Sequence, residues 1–174
     1  MRPLQFFPVA LAVFLPVIFG GCAGYHIGAT QPNFMKDIHT LAVPAFKNDT
    51  LIPRIEVLVA DTVIRQIQQD GTYRILPSDK ADAIMECTVS EVRRRPARSV
   101  RSDVLATREF SMDLIIHYKI SKRDGGTSAA REGNVDGRTS FFVSGDLNQD
   151  ERQAIPLATE DAAVRLVSAI SEGW

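Results

Sequence analysis

Apolar and polar residues alternate most regularly over Phe110–Ile120. Phe110, Met112, Leu114, Ile116, Tyr118 and Ile120 share one side there, and Ser111, Asp113, His117 and Lys119 the other. A period of two belongs to a half-buried strand. The same period starts at Ala81 and places Ala83, Met85, Cys87 and Val89 opposite Glu86, Thr88 and Ser90. Polar Lys122–Gly126 reads as a hairpin connection to a further strand, Gly133–Val143, which Gly133 and Gly137 weaken. His39–Phe46, with Leu41-Ala42-Val43 at its centre, is a well-buried strand. Pro44 cannot donate a ladder bond, so this strand is at an edge or irregular there. A helical period appears twice. Ile55, Leu58, Val59, Val63 and Ile67 form one stripe, with caps offered by residues 47–50, Pro53 suited to the first turn and Gly71 to the stop. Ala158, Ala162, Leu166, Val167 and Ile170 form the second, over about Glu151–Ser171, with Gly173 as a candidate stop. Pro156 marks the first turn of that helix or kinks a longer one. Tyr73–Leu76 is a short extended piece. The order β-α-β-β-β-α predicts an α+β fold with two helices on one face of a four-stranded mixed sheet. A right-handed crossover makes its first two strands parallel, and hairpins make the rest antiparallel. The other sheet face is left for solvent or a partner.

The amino terminus follows a different rule. After Arg2, an uncharged apolar run extends from Leu4 to Phe19 and ends at Gly20-Gly21-Cys22. A basic start, an apolar middle and small residues at the cut describe a secretory signal peptide. The terminal cysteine resembles the lipobox of a bacterial lipoprotein, with Phe19 in place of the usual leucine-like residue. That resemblance implies cleavage before Cys22, with a diacylglycerol on its thiol and an acyl chain such as palmitate on its new amino group. Several chains hold a protein at a membrane far more firmly than one, at about 0.8 kcal/mol per buried methylene. A transmembrane helix is the rival reading, but the run is short of the roughly 20 residues needed and contains Pro8 and Pro16. Ala23 after the cysteine, where an aspartate would retain the protein, implies transfer to the outer membrane. The organisation expected is a removed signal at 1–21, a tether at 22–37 and one domain at 38–174.

Composition narrows the chemistry. Removing residues 1–21 from 174 leaves 153, enough for one domain. Of 20 Lys and Arg only Arg2 is lost, so 19 face 21 acids and the mature charge is −2, without the basic footprint of nucleic-acid binding. With Cys22 acylated, Cys87 is the one remaining thiol and reads as a small core residue. No nucleophile elbow, zinc-binding HExxH, P-loop or CxxC is present, and the three histidines are scattered, so no catalytic residue, metal or cofactor beyond the lipid is expected. The densest charge is Arg93, Arg94, Arg95, Arg98, Arg101 and Arg108. These arginines read either as a solvated, protruding hairpin that resists edge pairing or as an anion site, because guanidinium forks bind phosphate.

Several blocks in order resemble the lipopolysaccharide-assembly lipoprotein family, LptE. They are Gly24-Tyr25-His26 after the lipobox, Ala42-Val43-Pro44-Ala45-Phe46-Lys47-Asn48-Asp49-Thr50, Ile55-Glu56 and Gln69-Asp70-Gly71-Thr72-Tyr73-Arg74. Ala81-Asp82-Ala83, Arg93-Arg94-Arg95 and terminal Glu172-Gly173-Trp174 complete the set. The resemblance implies a non-enzymatic protein, lipid-anchored at the periplasmic side of the outer membrane. It would plug a large β-barrel of the LptD type and support that barrel's assembly and the delivery of lipopolysaccharide to the cell surface. Arg93, Arg94, Arg95, Arg98 and Arg101 would then be the candidate contacts for lipopolysaccharide phosphates. The opening strand and helix also resemble curli-secretion-type and peptidoglycan-associated lipoproteins, which would make the protein an envelope scaffold instead.

Overall fold

The structure, a computed structural model, describes residues 31–98, 108–123, 129–143 and 145–172. Its elements run β1 (Thr40–Ala42), β2 (Lys47–Asn48), α1 (Ile55–Asp70), β3 (Arg74–Ile75), β4 (Ala83–Arg98), β5 (Arg108–Lys122), β6 (Ala129–Val143) and α2 (Leu147–Ser171). The sheet order is β3-β1-β4-β5-β6, with β2 also parallel to β4. The α+β class, the two helices and the mixed sheet agree with the sequence pattern, but the sheet has six strands where four were expected. The first predicted strand, His39–Phe46, shortens to β1, which ends before Pro44. β2 pairs with β4 where residues 47–50 were expected to turn, and the short piece near Tyr73 pairs as β3 with β1. As expected, the crossover through α1 makes β1 and β4 parallel, and β4, β5 and β6 are antiparallel.

One continuous core joins the sheet to both helices. The predicted stripe of β5 is buried from Met112 to Ile120, each large side chain contributing about 1.5–3 kcal/mol. Cys87 lies in this core as predicted, and burial pushes its thiol up to about 12. Met35 is buried in the same core with Phe34 packed against it, so the described end of the predicted tether packs onto the domain.

The helix boundaries differ in detail from the periodic pattern. Pro53 precedes α1 instead of sitting in its first turn, and Arg54 takes the N-cap position at φ 63. Asn48 organises this entry by accepting from the Thr50 amide while its own amide donates to the Ile52 carbonyl and Glu56. Gly71 closes α1 at φ 76, donating to the Ile67 carbonyl, as the pattern predicts. α2 begins before its predicted start because the Asp146 carboxylate accepts from the Asn148 amide. Pro156 therefore lies inside the helix, not at its first turn. Gly137 does not interrupt β6; a Cβ there would lie 2.0 Å from the Ala158 carbonyl oxygen, so glycine lets α2 rest directly on the strand. Gly173 and Trp174 fall outside the described residues.

Candidate functional site

The arginine segment is the far part of one arm of a β-hairpin, in which β4 stays paired with β5 out to Arg98. A register shift between Val89 and Glu91 marks a bulge at Ser90. Before it, odd-numbered residues face the core; after it, Val92 and Arg94 stand opposite buried Leu114 and Met112. Uninterrupted alternation would have driven Arg93 and Arg95 into the core. The bulge turns them onto the sheet face that the helices leave open.

Arg93 and Arg95 meet Asp113, Asp136 and Arg138 there, around a depression of about 360 Å³ also lined by Ile115, Asn134 and Val135. Asp113 is buried at 6% exposure although it lies on the nominally polar side of β5. Its carboxylate is held by Arg95 on one side and lies 3.3 Å from Arg138 Nε on the other. Two guanidiniums thus replace the water it loses on burial. Arg138 Nε is also 2.8 Å from Asp136 Oδ2, yet that buried oxygen accepts no hydrogen bond. Arg93 pairs with Glu91 at 2.8 Å.

The predicted cluster is therefore divided. Arg94 turns to the helix side, pairs with Glu151 of α2 and lies over the Phe110 ring at 5.7 Å. Arg98 ends β4, while Arg101 and Cys22 lie outside the described residues. The pattern of residue types did not point to Asp113, Asp136, Arg138 and Glu151. For Asp113 one signal was available, a lone acid between the two bulky core residues Met112 and Leu114. His117 stays at the surface, 3.0 Å from Asn134 and 3.3 Å from Glu132. Among the described residues, no group of three or more His, Cys, Asp or Glu could hold a metal, and no helix is long and apolar enough to cross a membrane.

Among the described residues, the site is thus an arginine–carboxylate network on the helix-free sheet face of a small α+β domain. The pattern defining the lipopolysaccharide-assembly family LptE matches residues 38–170, and the chain belongs to that family. No curated protein sequence matches it. Solved structures share the fold at low identity. A minor lipoprotein from Acinetobacter baumannii is 14% identical with a TM-score of 0.53, over 79% of this chain and 95% of that one. A Helicobacter pylori protein described as a neuraminyllactose-binding hemagglutinin homologue is 16% identical with a TM-score of 0.54, over 86% and 93%. A Caulobacter crescentus protein described as a lipoprotein is 13% identical with a TM-score of 0.51, over 75% and 87%.

Proposed function

We propose that the protein is an outer-membrane lipoprotein, held on the periplasmic side by acyl chains on Cys22. It plugs and supports the assembly of a large β-barrel lipopolysaccharide translocon of the LptD type, and helps deliver lipopolysaccharide to the cell surface. The observation that carries this reading is the family match across nearly the whole described domain. Two physical features support it. The lumen of such a barrel is polar, and the open sheet face offers charged side chains over a packed layer. The guanidiniums of Arg93 and Arg95 are more than half exposed, so their pairing with carboxylates is weak enough for phosphate to compete. Confinement by lipid raises the effective concentration of the domain beside a membrane-embedded partner.

The test is a pull-down of the protein from detergent-solubilised outer membranes, with mass spectrometry of what accompanies it. A stoichiometric lipopolysaccharide-transport barrel is the expected result. Recovery as a lone oligomer, or with peptidoglycan fragments, would replace the plug by a secretion or scaffold role. With the barrel found, Arg93→Glu/Arg95→Glu is expected to keep the complex but lose lipopolysaccharide retained on it.

A further inference from the structure

A sheet edge carries unpaired donors and acceptors that recruit another strand unless it is blunted. The two edges here differ. β3 is blunt at two residues, whereas β6 runs for 15. The Arg138 amide turns outward and donates to Asp161 of α2 at 2.8 Å, which closes the edge at that residue. By the alternation of an antiparallel strand, the amides of Asn134 and Asp136 also turn outward, and no described residue accepts from them.

Two depressions flank this open stretch and share Asn134, Val135 and Asp136. One is the open-face depression described above. The other, about 350 Å³, lies between β6 and α2 and is lined by Tyr118, Arg131, Val164, Arg165, Ser168 and Ala169. A Cβ on Gly133 would press on Tyr118 at 3.1 Å, so its absence keeps the approach to that ring open. A strand laid along β6 would send alternate side chains into the two depressions in turn.

We propose that residues 132–136 of β6 are a strand-addition site for an extended segment of a partner polypeptide. That segment carries acidic side chains over the open face and aliphatic ones over the helix side. Only an extended chain offers donors and acceptors that match the outward groups. The acidic preference follows from the mouth of the open-face depression. Arg93, Arg95 and Arg138 are 51%, 60% and 64% exposed there and line the depression, whereas of the acids Asp136 is 41% and Asp113 8% exposed. Glu91 and Glu132, at 48% and 53%, stand outside its lining, paired with Arg93 and His117. The aliphatic preference follows from Tyr118, Val164 and Ala169 on the other side. This site stands whether or not the barrel-plug role holds.

The experiment titrates full-length protein in detergent with a short fluorescent peptide alternating glutamate and valine, following anisotropy. The control peptide has the same sequence with alternate backbone nitrogens methylated, which removes pairing donors and keeps the charge. Asn134→Pro removes an outward amide, which edge strands tolerate. Expected are binding of the first peptide, about tenfold or more weaker binding of the methylated one, and a similar loss in Asn134→Pro at an unchanged melting temperature. Equal binding of both peptides would reduce the effect to charge attraction and overturn the proposal. So would absence of binding, or a dimer in sedimentation that Asn134→Pro dissolves, which would assign the edge to a second copy. The peptide comparison holds even if the variant misfolds.

Discussion

Asp113 shows what one side chain can decide. It is buried, but Arg95 and Arg138 are 60% and 64% exposed, so losing the pair leaves two guanidiniums that simply rehydrate. Asp113→Asn should therefore cost about 1 kcal/mol, far from the roughly 3–5 kcal/mol of a fully buried pair, as read by urea denaturation. Tyr73 is the opposite case. Burial, with the Asp70 charge behind it, pushes its hydroxyl up to about 12, so the phenol keeps its proton and donates to the Ile170 carbonyl at 2.6 Å. That carbonyl lies in the last turn of α2, where carbonyls lack a partner within the helix unless a cap supplies one. Tyr73→Phe should lower stability by about 1–3 kcal/mol. Asp82 joins the starts of β1 and β4, and hydrogen bonds from the Thr40 side chain and the His39 amide hold its carboxyl below the ordinary value. Because its folded pKa is depressed, its contribution is complete above the unfolded value of about 3.9 and is lost as pH falls through the folded one. Asp82→Asn should consequently show a shallower loss of urea midpoint on acidification below about pH 4 than the native chain, with little change in slope near neutrality.

Between elements, Gly137 lets α2 rest directly on β6. Gly137→Ala would place a methyl inside backbone contact distance of Ala158 and Ala162 and should cost about 3 kcal/mol or more. The glycine looks like a weakness in a strand pattern, and only the helix above it explains why it is there. Pro156 makes the reverse prediction. It lies exposed in the interior of α2, where its ring removes a ladder bond and adds little packing. Pro156→Ala should raise the melting temperature, corresponding to about 1–3 kcal/mol. The long strands and helix stripes were legible from spacing within one segment, and parallel or antiparallel sense from the connections between them, whereas the two-residue strands β2 and β3 left no such period. The bulge at Ser90 was not, because it exists only through pairing with β5, and it alone decides which arginines share a face.

For the whole molecule, the lipid and the fold act at separate levels. If Cys22 carries the membrane attachment, Cys22→Ser should move the protein from the membrane pellet to the soluble fraction. Its urea midpoint should stay the same, because among the described residues the buried core begins with Met35 and no contact depends on the lipid. Survival of membrane association in that variant would point to attachment through the domain itself.

The chain's own residue order determined the element types, most of the core and the signal-like amino terminus with its cysteine, since all of these are properties of local period and composition. Its motifs in order also carried the family resemblance that the match over residues 38–170 established. Tertiary structure alone decided that Arg93 and Arg95 share one face with Asp113 and Arg138 while Arg94 joins Glu151, and that β6 is an open edge while β3 is a blunt one. The physical reason is that facing and neighbourhood in a sheet are set by pairing between segments far apart in the chain. One inserted residue reverses the facing of everything beyond it, and the resulting change of phase from Val89 to Val92 acquires its meaning only from the partner strand.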